Sequence, residues 1–118
     1  MSNNFEKLKV WKKAHELVLE VYKHTNIFPS FEKYGLVSQI RRSSSSIATN
    51  IVEGYKRKTH KDFERFLNIA ESSLEETKYL LLLSRDLKYL KNNDYILLIE
   101  LADEVGKMLH GFQKRLKT

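Results

Sequence analysis

The chain has no cysteine. That excludes disulfides and thiolate metal sites. It has one proline, Pro29, and only four glycines. No glycine-rich phosphate loop is present, and no alternation of apolar and polar residues marks a strand. No apolar run approaches the roughly 18 residues of a spanning helix. The start, Met-Ser-Asn-Asn, lacks the basic and apolar regions of a signal peptide. The expected compartment is the cytoplasm, with no membrane contact.

Catalytic patterns are also missing. The four histidines, His15, His24, His60 and His110, include no pair at i,i+4, and no H-E-x-x-H occurs. A di-iron bundle needs Glu-x-x-His on two helices, and no Glu here has a His three residues on. The run Ser43–Ser46 has no glycine-flanked elbow that would make one serine a nucleophile. The gap from Arg57 to His60 is three residues, shorter than the Arg-to-His spacing of the helical-bundle (HEPN) ribonucleases. The carboxylates Glu71, Glu75 and Glu76, and Glu100, Asp103 and Glu104, have Lys78 and Lys107 nearby and read as solvated faces. The expectation is a protein without enzymatic activity, metal or cofactor.

What is present is helical periodicity in 118 residues, a length that fits one domain over 1–118. Hydrophobic residues make up 42% and charged residues 31%, which fits a globular chain able to bury a core. Four helices are expected. The first covers residues 4–25, capped by Asn3 or Asn4, with a stripe of Phe5, Leu8, Trp11, Ala14, Val18, Val21 and Tyr22. It stops before Ile27-Phe28-Pro29, because a residue preceding proline is pushed out of the helical region. The second covers 34–57 and the third runs from a Thr59 cap to Leu87 or Leu90, with an inner face of Phe63, Phe66, Leu67, Ala70, Leu74, Leu81 and Ser84. The fourth covers 94–116, capped within Asn92-Asn93-Asp94, with Ile96, Leu97, Ile99, Leu101, Val105, Leu109, Phe112 and Leu116. Long helices with short links read as an all-α, antiparallel up-down four-helix bundle.

The second helix is unusual. Leu36, Ile40, Ile47 and Ile51 give it a helical period, yet four serines fill its middle. Such a seam suits close helix packing or a partner surface. Gln39, Asn50 and Glu53 form a polar set beside it, together with Arg41 and Arg42. Arg42 and Glu53 lie about three turns apart, so each needs a partner from another helix or subunit. If buried, such groups must be paired. Two segments, Tyr79–Leu83 and Tyr95–Ile99, are apolar all round. A two-sided apolar helix needs cover on two sides, so a homo-oligomer is expected, with Leu82 and Leu98 as candidate interface residues.

Charge is uneven along the chain. Residues 1–59 hold 11 Lys/Arg and 5 Asp/Glu, whereas residues 60–118 hold 10 of each, so the first half carries the whole net charge of +6. Two explanations stand: a basic face for an acidic partner, or charge kept for solubility.

The sequence resembles the four-helix-bundle proteins encoded in intervening sequences of bacterial 23S ribosomal RNA genes. The matching pieces are V-W-K-K-A at 10–14, Tyr22, F-P at 28–29, G-L-V-S-Q-I-R-R at 35–42, S-I-A-T-N-I-V-E-G at 46–54, F-L-N-I-A at 66–70, and Ser73 with Glu76. The resemblance implies a four-helix bundle assembling as a homopentamer. It also implies kinship to the accessory variability protein of diversity-generating retroelements, a basic pentamer thought to contact nucleic acid. Two positions depart from the family. Thr49 stands where proline is frequent, and Glu71-Ser72 where Arg-Gly is frequent.

The functional expectation is an oligomeric binding module for structured RNA or DNA. Its carriers are Arg41, Arg42, Lys56, Arg57, Lys58 and Lys61, with Lys9, Lys12 and Lys13 on the first helix, acting through phosphates rather than base edges. Tyrosines and phenylalanines are expected mostly on the apolar stripes, leaving no strong base-stacking signature. The alternative is a scaffold whose basic face meets an acidic protein.

Overall fold

The computed structural model describes residues 4–117. Among them are four α-helices and no strand: α1 (Lys9–Thr25), α2 (Leu36–Tyr55), α3 (His60–Asp86) and α4 (Asn92–Leu116). Each helix borders two others. α1 lies against α2 and α4, and α3 lies against the same two. The resulting bundle measures 44 × 26 × 21 Å.

Several boundaries differ from the sequence expectation, each for a local reason. Asn4 does not open α1. It begins a short 3-10 turn, Asn4–Lys7, and Leu8 then takes an extended conformation before α1 starts. The expected cap at Asn3 lies outside the described residues. The chain after α1 does stop short of Pro29, with the Phe28 amide bonded to the Thr25 carbonyl. α2 begins at Leu36 because Glu32 supplies the missing acceptor: its Oε1 takes the Leu36 N–H at 3.1 Å. The Thr59 cap is as expected, its Oγ1 accepting the Asp62 N–H at 3.1 Å. α3 ends with Lys88 at φ 67°, where the Tyr89 and Leu90 amides both turn back to the Ser84 carbonyl. α4 begins at Asn92, two residues early, and no side chain caps it.

The inward faces are also rotated from those the stripes suggested. In α1 the buried row is Val10, Ala14, Leu17, Val21 and Thr25. Leu8, Trp11 and Val18 sit half-buried at its edge, and Phe5, in the preceding 3-10 turn, is half-buried against the Trp11 ring at 5.0 Å. Eight of the 17 residues of α1 are apolar and they fall on more than one row, so periodicity left two rows competing and the contact with both neighbours chose between them. In α4 the core row is Leu98, Ala102, Val105, Leu109 and Gln113, whereas Ile96 and Leu97 face outward. Leu98 is only 1% exposed, so it belongs to the core of one protomer and not to a subunit contact. Leu82 is half-buried.

The serine seam is used inside the protomer. Ser43 and Ser44 are fully buried. Ser43 Oγ bonds Thr77 Oγ1 at 2.9 Å and Ser73 Oγ donates to Ser46 Oγ at 2.9 Å. Small side chains let α2 and α3 approach closely, the hydroxyls pair, and among the described residues no buried side-chain nitrogen or oxygen lacks a partner. Gly54 continues this contact at its tighter end. A Cβ there would come within 2.7 Å of Phe63 Cδ1 and 2.9 Å of Phe66 Cβ. Alanine is the better helix former by about 1 kcal/mol, yet Gly54→Ala is expected to lower stability by about 1–3 kcal/mol through overpacking. Urea unfolding measures this, and an unchanged midpoint would show that the two phenylalanines can move aside.

Candidate nucleic-acid interface

The nine cations expected to carry binding separate into two groups. Four are engaged within the fold. Arg41 ties α2 to the end of α1: its Nε donates to Thr25 Oγ1 at 2.9 Å, and one terminal nitrogen reaches the Tyr22 carbonyl and Asn26 Oδ1 at 3.3 and 3.1 Å. Its guanidinium also lies 4.5 Å from the Tyr22 ring centre. Arg42 pairs with Glu76 of α3. Lys13 reaches Glu16 at 3.1 Å and Glu104 of α4 at 3.5 Å. The Glu16 hydrogen bond does most to raise the Lys13 pKa, and Glu104 adds to it. Arg57 bonds Glu53 at 3.3 Å and lies over the Phe66 ring at 4.7 Å. The other five, Lys9, Lys12, Lys56, Lys58 and Lys61, are exposed.

The polar set resolves in the same way. Asn50 donates to the Ser46 carbonyl and Oγ at 2.8 and 3.0 Å, which extends the α2–α3 hydroxyl chain. Gln39 is exposed. Glu53 is exposed too, and its partner Arg57 is one turn away on the same chain segment, not on another helix. The sequence expectation was a partner from another helix or subunit; among the described residues of this chain no other helix supplies one, and the Glu53 carboxylate stands in solvent beside Arg57.

The structure gathers charge in a way the linear reading missed. Phe63 at the start of α3 packs on Phe112 near the end of α4, with ring centres 5.3 Å apart. Tyr55 at the end of α2 packs on Phe63 at 6.1 Å. Lys117 beyond α4 reaches Glu64 at 3.2 Å. An open cleft brings Lys7, the last residue of the 3-10 turn, and Lys9, the first of α1, beside Lys107 and Arg115 of α4. These contacts unite residues 4–13, 52–66 and 105–117 at one end of the bundle. That end holds thirteen Lys/Arg and four Asp/Glu. The rest of the chain holds eight and eleven. The excess therefore belongs to one end of the molecule and not to the first half of the sequence. Six of the thirteen, Lys7, Arg65, Lys107, Lys114, Arg115 and Lys117, are not among the nine expected cations. Four of the six come from residues 105–117, where no acid occurs; the acids Asp94, Glu100, Asp103 and Glu104 that balance them in the linear sequence lie earlier in α4. Arg41 is not part of this end. Its contacts place it at the end of α1, beside Thr25 and Asn26.

Aromatic placement also departs from expectation. Phe31 and Tyr34, in the link between α1 and α2, are 78% and 87% exposed. Tyr79 is exposed on α3. Among the described residues, no group of three or more His, Asp or Glu could hold a metal ion, and no helix is long and apolar enough to cross a membrane.

The family model for the 23S rRNA-intervening sequence protein matches residues 6–111, from the 3-10 turn through most of α4. The chain belongs to this family. Among solved structures, the family protein is similar to a protein of unknown function from the S23 ribosomal protein family of Bacteroides thetaiotaomicron VPI-5482. The two share 27% identity, with a TM-score of 0.81 over 92% of this chain and 96% of the other. Among curated proteins none matches. The segments that carried the resemblance include Arg42, Ser46, Ser73 and Glu76, which join α2 to α3. The departures at Thr49 and at Glu71-Ser72 lie on exposed positions, outside that contact.

Proposed function

We propose that this family protein is a non-enzymatic, oligomeric module that binds structured RNA or DNA through phosphate contacts at the basic end of its bundle. The observation that carries this reading is the thirteen-to-four excess of cations at that end. Five of the nine cations named from sequence stand there exposed, and α4 adds more. A concentrated positive field attracts a polyanion and releases its counterions. Within the protomer the helices run antiparallel, up-down-up-down. The cross-helix pairs 42 with 76 and 46 with 73 support this, since one number rises as the other falls. Assembly into a homo-oligomer, a pentamer by the family resemblance, is supported by Leu19, Tyr79, Ile96 and Leu97, which remain exposed on the single protomer. The compartment is the cytoplasm. The second reading, an acidic protein partner, is favoured by the exposed corner of Ile27, Phe31 and Tyr34 beside Lys33.

Purification without nuclease, followed by identification of copurifying nucleic acid, tests the reading directly. A salt titration then gives the contact number. Affinity is expected to fall with a slope of about −0.9 per phosphate neutralised on duplex DNA and about −0.7 on single strands. Absence of any gel shift with RNA or DNA at about 50 mM salt, a condition that favours electrostatic binding, would leave the protein partner as the better account.

A further inference from the structure

The cleft between the start of α1 and the end of α4 has a feature that phosphate binding does not use. Its volume is about 450 Å³, within the range of about 300–1,000 Å³ common for small-molecule sites. Its floor is apolar: Leu8, Val10, Met108 and Phe112. Its rim is cationic: Lys7, Lys9, Lys107 and Arg115, the last lying over the Phe112 ring at 5.5 Å. The one carboxylate in the lining, Glu104, is already met by Lys13 at 3.5 Å. A nucleic-acid backbone needs only the rim, because phosphates and sugars offer little to an apolar floor. A floor and a rim together match a ligand with an apolar body and a charged head.

We infer that this cleft binds an amphipathic organic anion: an apolar chain or ring system carrying one carboxylate, sulfonate or phosphate group. The body lies over Leu8, Met108 and Phe112. The head meets Lys7, Lys9, Lys107 and Arg115. Each methylene removed from water strengthens binding by up to about fourfold. The cations supply the selection for an anion, since hydrogen bonds to charged groups are the stronger kind. The site stands whether or not the same end of the molecule binds nucleic acid.

Gly111 provides a way to fill the cleft without removing any of its charges. A Cβ at Gly111 would make ordinary van der Waals contact with an Arg115 terminal nitrogen at 3.9 Å, at the far end of a flexible side chain. A larger side chain is therefore accommodated, and loss of a helical glycine favours the helix.

Calorimetric titration of the full chain with decanoate, decanol and inorganic phosphate reads each part. Decanoate is expected to bind, with decanol and inorganic phosphate each weaker by about tenfold or more. Lys107→Ala combined with Arg115→Ala is expected to weaken decanoate by about tenfold. Gly111→Leu is expected to abolish binding while the melting temperature holds or rises. Met108→Trp fills the same space and serves as a second block. Decanol binding as tightly as decanoate would overturn the role of the rim. Inorganic phosphate binding as tightly would overturn the role of the floor. Decanoate binding unchanged by both blocking substitutions would place it elsewhere and overturn the site.

Discussion

Leu98→Lys is expected to prevent folding, while Leu97→Lys leaves the fold intact. The two leucines are neighbours in a run that is apolar all round, and only their position on α4 separates them. Leu98 is 1% exposed and belongs to the core; Leu97 is 50% exposed. A lysine at 98 would bury an ammonium without a partner, or else lose its proton and still leave a polar group unpaired. Costs of this kind exceed about 4 kcal/mol, against a total stability of about 5–15 kcal/mol for a domain. At position 97 the charge reaches water, and the expected change in protomer stability is within about 0.5 kcal/mol. Circular dichroism melts with light scattering on the same samples decide both points. A cooperative melt at the wild-type temperature for Leu98→Lys would show that α4 is rotated from the arrangement described. A fall in mass for Leu97→Lys, with the melt retained, would place Leu97 at a subunit contact.

Reversing charge at the basic end is expected to abolish nucleic-acid binding, and reversing the same amount elsewhere is not. Lys56, Lys58, Lys114 and Lys117 are exposed. Changing all four to Glu turns thirteen cations against four anions into nine against eight. Up to four phosphate contacts are lost, so the salt slope falls by about 3 units before repulsion is considered. The fold loses only the Lys117–Glu64 bridge, a surface pair worth about 0–1 kcal/mol. Lys23, Lys33, Lys88 and Lys91 provide the control. They are exposed at the opposite end, where Tyr89 reaches Glu32 at 3.1 Å. The same four-residue change there alters net charge equally and is expected to retain most of the binding. Equal loss in both variants would mean that net charge alone drives association, and the basic end would have no special role.

The helices themselves were largely legible. α3 shows why: Thr59 followed by Asp62 gives a cap that depends on three residues, and the structure contains that bond. The start of α2 was not legible in the same way. Glu32 completes it from a separate turn, and Tyr89, 57 positions away, holds the other carboxylate oxygen. No local rule connects residues that far apart. Glu53 shows the limit of spacing in another way. Its distance from Arg42 along the helix called for partners from elsewhere; Arg42 finds Glu76 of α3, whereas Glu53 meets Arg57 one turn on.

By itself the sequence determined the all-α class, the number of helices and most of their limits, because propensity, capping and proline geometry act within a few residues. It also determined the family, through segments spread over nearly the whole chain. The tertiary structure alone decided which face of each helix points inward. α1 and α4 carry more apolar residues than one stripe can use, so contact with two neighbours had to select Leu17 over Val18 and Leu98 over Leu97. It also decided where the charge lies. The last turn of α4 comes to rest beside the first turns of α1 and α3, and cations separated by about a hundred positions share one end of the bundle. Electrostatic fields sum over distance in space rather than over distance along the chain, and that sum exists only after folding.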